Sequence, residues 1–198
     1  MHTIWVFITD CGDSAVTAPL ALLILVFLLA SRERRLGGAW ILAIGGAAAV
    51  ITALKLVFGA CGADFAGERI VSPSGHTAMS TAVYGSLALL AGSRLRAGQR
   101  YTMYALAAAG IAGIALSRVV LHEHNLSEIV IGWVVGAGGV AVFAAAAGRR
   151  EAPALPLGWL LLCAAILVAL LHGNRWAVEP VIRRLAGIFR AAAAPYCR

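Results

Sequence analysis

Charge is scarce in this chain. Only 13% of its 198 residues are Asp, Glu, Lys or Arg, against about a quarter in a soluble domain. Hydrophobic residues make up 61% and the mean hydropathy is +0.88, which excludes a water-soluble globule and indicates a polytopic membrane bundle. Lysine is almost missing: Lys55 stands alone beside fifteen arginines. No basic stripe interleaved with aromatic residues occurs, so the net charge of +7 does not point to nucleic acid. The four cysteines (Cys11, Cys61, Cys163 and Cys197) lack metal-ligand spacing. No lysine or arginine precedes the first apolar run either. Asp10 and Asp13 precede the first apolar run, which is expected to remain as a membrane span.

What the chain does have is long apolar runs. A membrane helix needs about 20 mostly apolar residues, and six candidates occur, near 14–31, 38–58, 76–92, 101–117, 126–147 and 155–172. The predicted fold is therefore all-α, one membrane-embedded domain over 1–198. Small residues such as Gly45, Gly46, Gly136, Gly138 and Gly139 suit close helix packing. Arginines gather in three connections: Arg32, Arg34 and Arg35; Arg94, Arg96 and Arg100; Arg149 and Arg150. The positive-inside rule puts these in the cytoplasm and the other two connections outside. Trp40, Tyr101 and Trp159 read as interfacial anchors. The tail, about 173–198, carries five more arginines on what this topology makes the outer side. Val181, Ile182, Leu185, Ile188 and Phe189 fall on one helical face, so 178–192 is predicted to be an amphipathic helix on the membrane; five spans are the alternative.

Two polar clusters interrupt the apolar background on the outer side. The first is Ser72-Pro73-Ser74-Gly75-His76. Ser72 suits an N-cap and Pro73 a first helical position. The amides of Ser74, Gly75 and His76 would then face an anion at a helix N-terminus. The second runs from Ser117 and Arg118 through His122 and His124 to Glu128. His124 and Glu128 are four apart, so on a helical turn the carboxylate can orient the imidazole. Arg118 offers a planar fork for phosphate oxygens. Taken alone, the first cluster also fits a plain helix cap and the second an ordinary polar loop.

Together the clusters resemble the type 2 phosphatidic acid phosphatase superfamily, membrane lipid phosphatases related to vanadium haloperoxidases. Pro73 to His76 match its Pro-Ser-Gly-His motif. Ser117, Arg118, His124 and Glu128 match Ser-Arg-x5-His-x3-Asp, with glutamate in place of aspartate. The resemblance covers about 55–135 and implies a six-helix bundle. It implies that His124 attacks phosphorus and forms a phosphohistidine, that Glu128 holds His124, and that His76 protonates the leaving oxygen. Ser74, Gly75 and Arg118 would bind the phosphate, with no metal or other cofactor. His122 is read as structural or substrate-facing. The first family motif, Lys-x6-Arg-Pro, keeps Lys55 as a phosphate ligand but has Gly62 and Ala63 where Arg-Pro belongs. Arg69 is the candidate replacement.

The expected activity is hydrolysis of a lipid phosphomonoester or pyrophosphate at the extracytoplasmic face of a membrane, that of a bacterial cell by compactness. Undecaprenyl pyrophosphate, phosphatidylglycerophosphate, phosphatidate and lipid A phosphates all remain open as substrates. The competing readings are an inactive relative that binds lipid phosphate and an anion transporter. Cys11 and Cys61 fall on the oxidising side, as a disulfide or as two unpaired residues, and Cys163 is expected to be buried in the sixth span.

Overall fold

The computed structural model describes residues 2–65, 67–148, 156–176 and 178–193. Within them the chain forms α1 (His2–Asp10), α2 (Ser14–Ala30), α3 (Arg34–Cys61), a hairpin of β1 (Ala63–Phe65) and β2 (Glu68–Ile70), α4 (Gly75–Gly92), α5 (Ala97–Val120), α6 (Leu126–Ala147), α7 (Leu157–Leu171) and α8 (Val178–Ala193). The hairpin is antiparallel with Asp64 opposite Arg69. Arg149, Arg150, Cys197 and Arg198 lie outside the described residues, as does the start of the predicted sixth span.

The central helix is α4, packed chiefly on α6 and also against α2, α3 and α5. Its neighbours are protein, so it tolerates polarity: Thr77, Ser80, Thr81 and Ser86 are buried. Thr81 Oγ1 and Ser80 Oγ donate to Thr77 O at 2.7 and 3.3 Å, which satisfies both hydroxyls within the helix. Glycines on one face of α6 permit the contact. A Cβ at Gly132 would stand 2.4 Å from Ser74 O, one at Gly136 2.5 Å from Ala78 O, and one at Gly139 3.1 Å from Ala43 O. Gly45, Gly46 and Gly138, counted with the packing residues in the sequence, have open space beside them.

Four segments are long and apolar enough to cross a membrane: His2–Ala30, Arg34–Cys61, Ala97–Val120 and Leu126–Ala147. The first joins the expected span to α1, a helix the sequence reading did not anticipate. The predicted span at 76–92 and the described part of the one at 155–172 form α4 and α7, but α4 is more polar and α7 has 15 residues. The all-α membrane bundle therefore stands, and length and composition support four of the six spans.

Trp40 corrects its predicted role. It is 2% exposed, edge-on to Phe143 at 5.6 Å, and its Nε1 donates to Ala21 O at 3.0 Å. Lying well inside α3, it faces the core with Leu20, Ile24 and Val83. Tyr101 and Trp159 are exposed. Cys61 is disulfide-bonded, but Cys11 is free, so the bridge between them is not formed. The reason is topological: α1 lies along α5. Cys163 is half-buried rather than buried.

The two ends of the bundle differ. Glu33 and Arg35 at the start of α3, Ser93 after α4 and Gly148 after α6 line one cavity of about 270 Å³, so the arginine turns after α2 and α4 share an end. The opposite end holds the close of α3, the hairpin, the start of α4, the close of α5 and the start of α6. There α8 packs on α3, with Ala186 over Gly59 and Arg190 donating to Gly59 O at 2.6 Å and Ala60 O at 3.2 Å. Val181, Leu185, Ile188 and Phe189 of α8 are exposed.

Gly132→Ala forces a methyl into the Ser74 carbonyl, an overpacking worth about 1–3 kcal/mol. Its melting temperature in detergent should fall clearly, while Gly138→Ala, beside open space, should melt within about 0.5 kcal/mol of wild type.

Candidate active site

The site is built where four helices end or begin. Glu128, in the first turn of α6, is the point at which they meet. Asn125 caps the helix by accepting from Glu128 N at 2.9 Å, and its Nδ2 donates to Arg69 O at 3.0 Å. The Glu128 carboxylate then works in two directions. Oε1 accepts from the amides of Val71 and Ser72 at 2.9 and 2.8 Å. Oε2 lies 2.8 Å from His124 Nδ1, with both side chains 8% exposed. Its main-chain carbonyl accepts from Ser74 N at 3.0 Å, and so one residue joins α6, the approach to α4 and the candidate nucleophile.

The turn that presents His124 ends α5 in a Schellman motif. His122 N donates to Val119 O at 2.9 Å and Glu123 N to Arg118 O at 3.0 Å. His122 occupies the left-handed position, φ 57°, usually given to glycine. It is a residue of the turn, and this separates it from His124.

The cap of α4 is shifted from its predicted place. Ser74, not Ser72, is the N-cap, fully buried, with Oγ taking Thr77 N at 3.3 Å and Thr77 Oγ1 at 3.0 Å. The first-turn amides of Gly75 and His76 have no acceptor inside the helix. That of Ser74, expected free, goes to Glu128 O. Ser72 thereby turns its hydroxyl to Lys55. Lys55 is 5% exposed and sits so close over Gly75 that a Cβ there would be 3.2 Å from its Cε. Its Nζ donates to Ser72 Oγ at 3.2 Å and pairs with Glu179 of α8, whose other oxygen accepts from Ser72 Oγ at 2.9 Å.

Arg118 reaches in from the last turn of α5. One terminal nitrogen donates to Thr9 Oγ1 at 3.0 Å, and the other is 3.7 Å from Glu123. Its Nε is buried and has no hydrogen-bond partner among the described residues. His76 Nε2 is 3.4 Å from Asp13 Oδ2, and Arg118 and His124 lie near enough to act on its charge. Arg69 is exposed, and its guanidinium lies across Gly62, with Nε 3.3 Å from where a Cβ would be. Gly62 has φ +72°, a backbone that would strain an arginine placed there.

A family model described as the PAP2 superfamily matches residues 36–152, more than half the chain and all of this constellation save Asp13, Thr9 and Glu179. The chain belongs to the PAP2 superfamily. Its members are generally phosphatases acting on phosphate-bearing substrates, and with four long apolar helices this one is an integral membrane protein. An uncharacterized 22.5 kDa protein in the cps region of Klebsiella pneumoniae is 30% identical over 203 aligned residues, which cover 98% of this chain and 95% of that one. No solved structure matches.

Within this PAP2 protein the structure gathers Lys55, Gly75, His76, Arg118, His124 and Glu128 at one end, and holds Arg69 in the hairpin at that end. Sequence reasoning missed Asp13, Thr9 and Glu179, because long-range packing brings them in. Their only signal was polarity at the edge of apolar runs. Asn125 was more legible, since Asn three residues before Glu is a capping pattern.

Glu179 titrates below the ordinary glutamate value: burial opposes its ionisation, but the Lys55 ammonium and the bonds from Lys55 and Ser72 outweigh it. A depressed carboxyl adds stability above its unfolded value, near 4.3, and loses it as pH falls through the folded value. Wild type should therefore melt above Glu179→Gln at about pH 7, and the gap should shrink below about pH 4.

Proposed function

We propose that the protein is a membrane lipid phosphatase that hydrolyses a phosphomonoester or pyrophosphate at the extracytoplasmic face through a phosphohistidine. The observation that carries this reading is the 2.8 Å contact of His124 Nδ1 with Glu128. A carboxylate there favours the proton on Nδ1 and leaves the Nε2 lone pair free to attack. A relative that only binds phosphate has no need of a histidine held in this way. A transporter would need broken helices at the membrane midplane, whereas these groups lie at helix ends.

In this mechanism His124 Nε2 bonds to phosphorus as the P–O bond to the leaving group breaks, and His76 gives its proton to the departing oxygen. Water then attacks the phosphohistidine, the P–N bond breaks, orthophosphate leaves, and the proton from water returns to His76. Positive charge comes from Lys55, from Arg118 through its unpartnered Nε, and from the amides of Gly75 and His76, so no metal is required. Ser74, fully buried as the cap, serves by fixing Gly75, and Ser72 supplies the hydroxyl beside Lys55. Arg69, across Gly62, stands in for the missing arginine of the first motif. Glu179 holds both Lys55 and Ser72, so phosphate entry exchanges one anion for another around a buried ammonium.

An apolar cavity of about 520 Å³, lined by Phe7, Ile8, Leu87, Leu106 and Ile114 among others, supports a lipid as the phosphate's carrier. Ile114 is one helical turn from Arg118. The arginine turns at the far end support a cytoplasmic location for that end, with six spans and the exposed face of α8 on the lipid surface. That orientation, taken with the compactness of the chain, supports a bacterial cytoplasmic membrane with the site facing periplasm or exterior.

Phosphate release from a panel of lipid phosphates, in excess chelator, tests the reading. Wild type should turn over at least one, and His124→Ala should lose on the order of a thousandfold or more. His76→Ala should lose about 10²–10⁴-fold on lipid phosphate and far less on an activated aryl phosphate. Turnover by His124→Ala at wild-type rate would defeat the mechanism, and an inactive wild type would favour the binding-only relative.

A further inference from the structure

Asp13 lies outside every family motif and before the region the family model matches, yet its carboxylate faces the candidate general acid. It is buried in the turn between α1 and α2, 6% exposed. Its two oxygens have different tasks. Oδ1 caps α2 by accepting from Ala15 N at 2.8 Å and also takes Trp176 N at 3.3 Å. Oδ2 is 3.4 Å from His76 Nε2. The approach is close because Gly12 has no side chain: a Cβ there would be 3.6 Å from His76 Cβ and 2.6 Å from Ile114 Cγ2.

A general acid must hold its proton until the leaving oxygen takes it. The charged neighbours of His76 are Arg118 at the close of α5, His124 in the α5–α6 turn and Asp13 from the α1–α2 turn. Arg118, always cationic, opposes a second positive charge nearby, and so does His124 whenever protonated. Asp13 supplies the anion of the three. We infer that Asp13 is a positioning residue for His76: it orients the imidazole through Nε2, sustains its protonated form, and leaves Nδ1 to deliver the proton. This rests on the phosphatase reading, and it extends the machinery to the N-terminal turn. Asp10 belongs to the same support, since its carboxylate pairs with Arg175 at 2.9 Å and ties down the segment whose Trp176 amide also holds Asp13.

Asp13→Asn is the informative variant, because asparagine caps a helix as well as aspartate does and only the charge toward His76 is lost. The measurements are the pH profile of kcat for a lipid phosphate and for an activated aryl phosphate, together with the imidazole titration of His76 by NMR in detergent. For the lipid phosphate, kcat should fall by about ten- to a hundredfold, part of what a whole general acid contributes. Its alkaline limb should move down by about one pH unit, and Asp13→Glu should restore part of the loss. The aryl phosphate, which leaves without a proton, should be turned over at nearly the wild-type rate. The His76 titration should move down in step. Equal losses on both substrates with an unmoved pH profile, or wild-type behaviour on both, would overturn the inference. If wild type hydrolyses nothing, the phosphatase reading fails while the titration still decides the pairing, and an unmoved His76 titration overturns it.

Discussion

A carboxylate buried at the end of an apolar bundle has to be surrounded by donors, and the arrangement around Glu128 follows from that requirement. Left without partners, such a group costs several kcal/mol or takes up a proton. Glu128 instead accepts from two loop amides and faces His124, while its own amide is capped by Asn125 and its carbonyl takes Ser74 N. These bonds fix the entrance to α4 relative to α6. The glycines of α6 make them reachable, since a side chain at Gly132 would push Ser74 away. Backbone packing and candidate chemistry are thus one structure, and the small residues matter most where they face the cap.

Cations at the site obey the same rule with opposite sign. Lys55 is almost wholly buried and keeps an anion beside it, Glu179. Arg118 is held by Thr9 and Glu123 through its terminal nitrogens and retains one buried donor with no partner among the described residues. In the proposed mechanism the phosphate displaces the Glu179 carboxylate from the ammonium and takes up the spare guanidinium donor. Both tails of the chain take part: α1 and the turn after it supply Thr9 and Asp13, and α8 supplies Glu179.

The membrane class and the helices from α2 to α8 were legible because hydropathy and apolar spacing report them directly. The spacing of His124 and Glu128 also translated into contact, since four residues across the start of a helix leave little freedom. Other elements were not legible, for identifiable reasons. Whether Ser72 or Ser74 caps α4 depends on where the loop is held, and Glu128 holds it so that the cap falls two residues further on than local sequence suggests. Trp40 near an arginine turn looked like an anchor, but the face it presents is set by its neighbours α2 and α6. Cys11 and Cys61 share a side of the bundle without being adjacent, because α1 runs along α5. Asp13 and Glu179 are long-range partners, and no spacing rule finds those.

The account's central claim is a covalent intermediate on His124, held ready by Glu128. The most direct test is acid- and base-quenched trapping with a phosphate-labelled lipid substrate, followed by peptide mapping. The account predicts label that survives alkali, is lost in acid and maps to His124, and that is absent from His124→Ala. Label on another residue, or turnover with no labelled enzyme under conditions that slow hydrolysis of the intermediate, would contradict it.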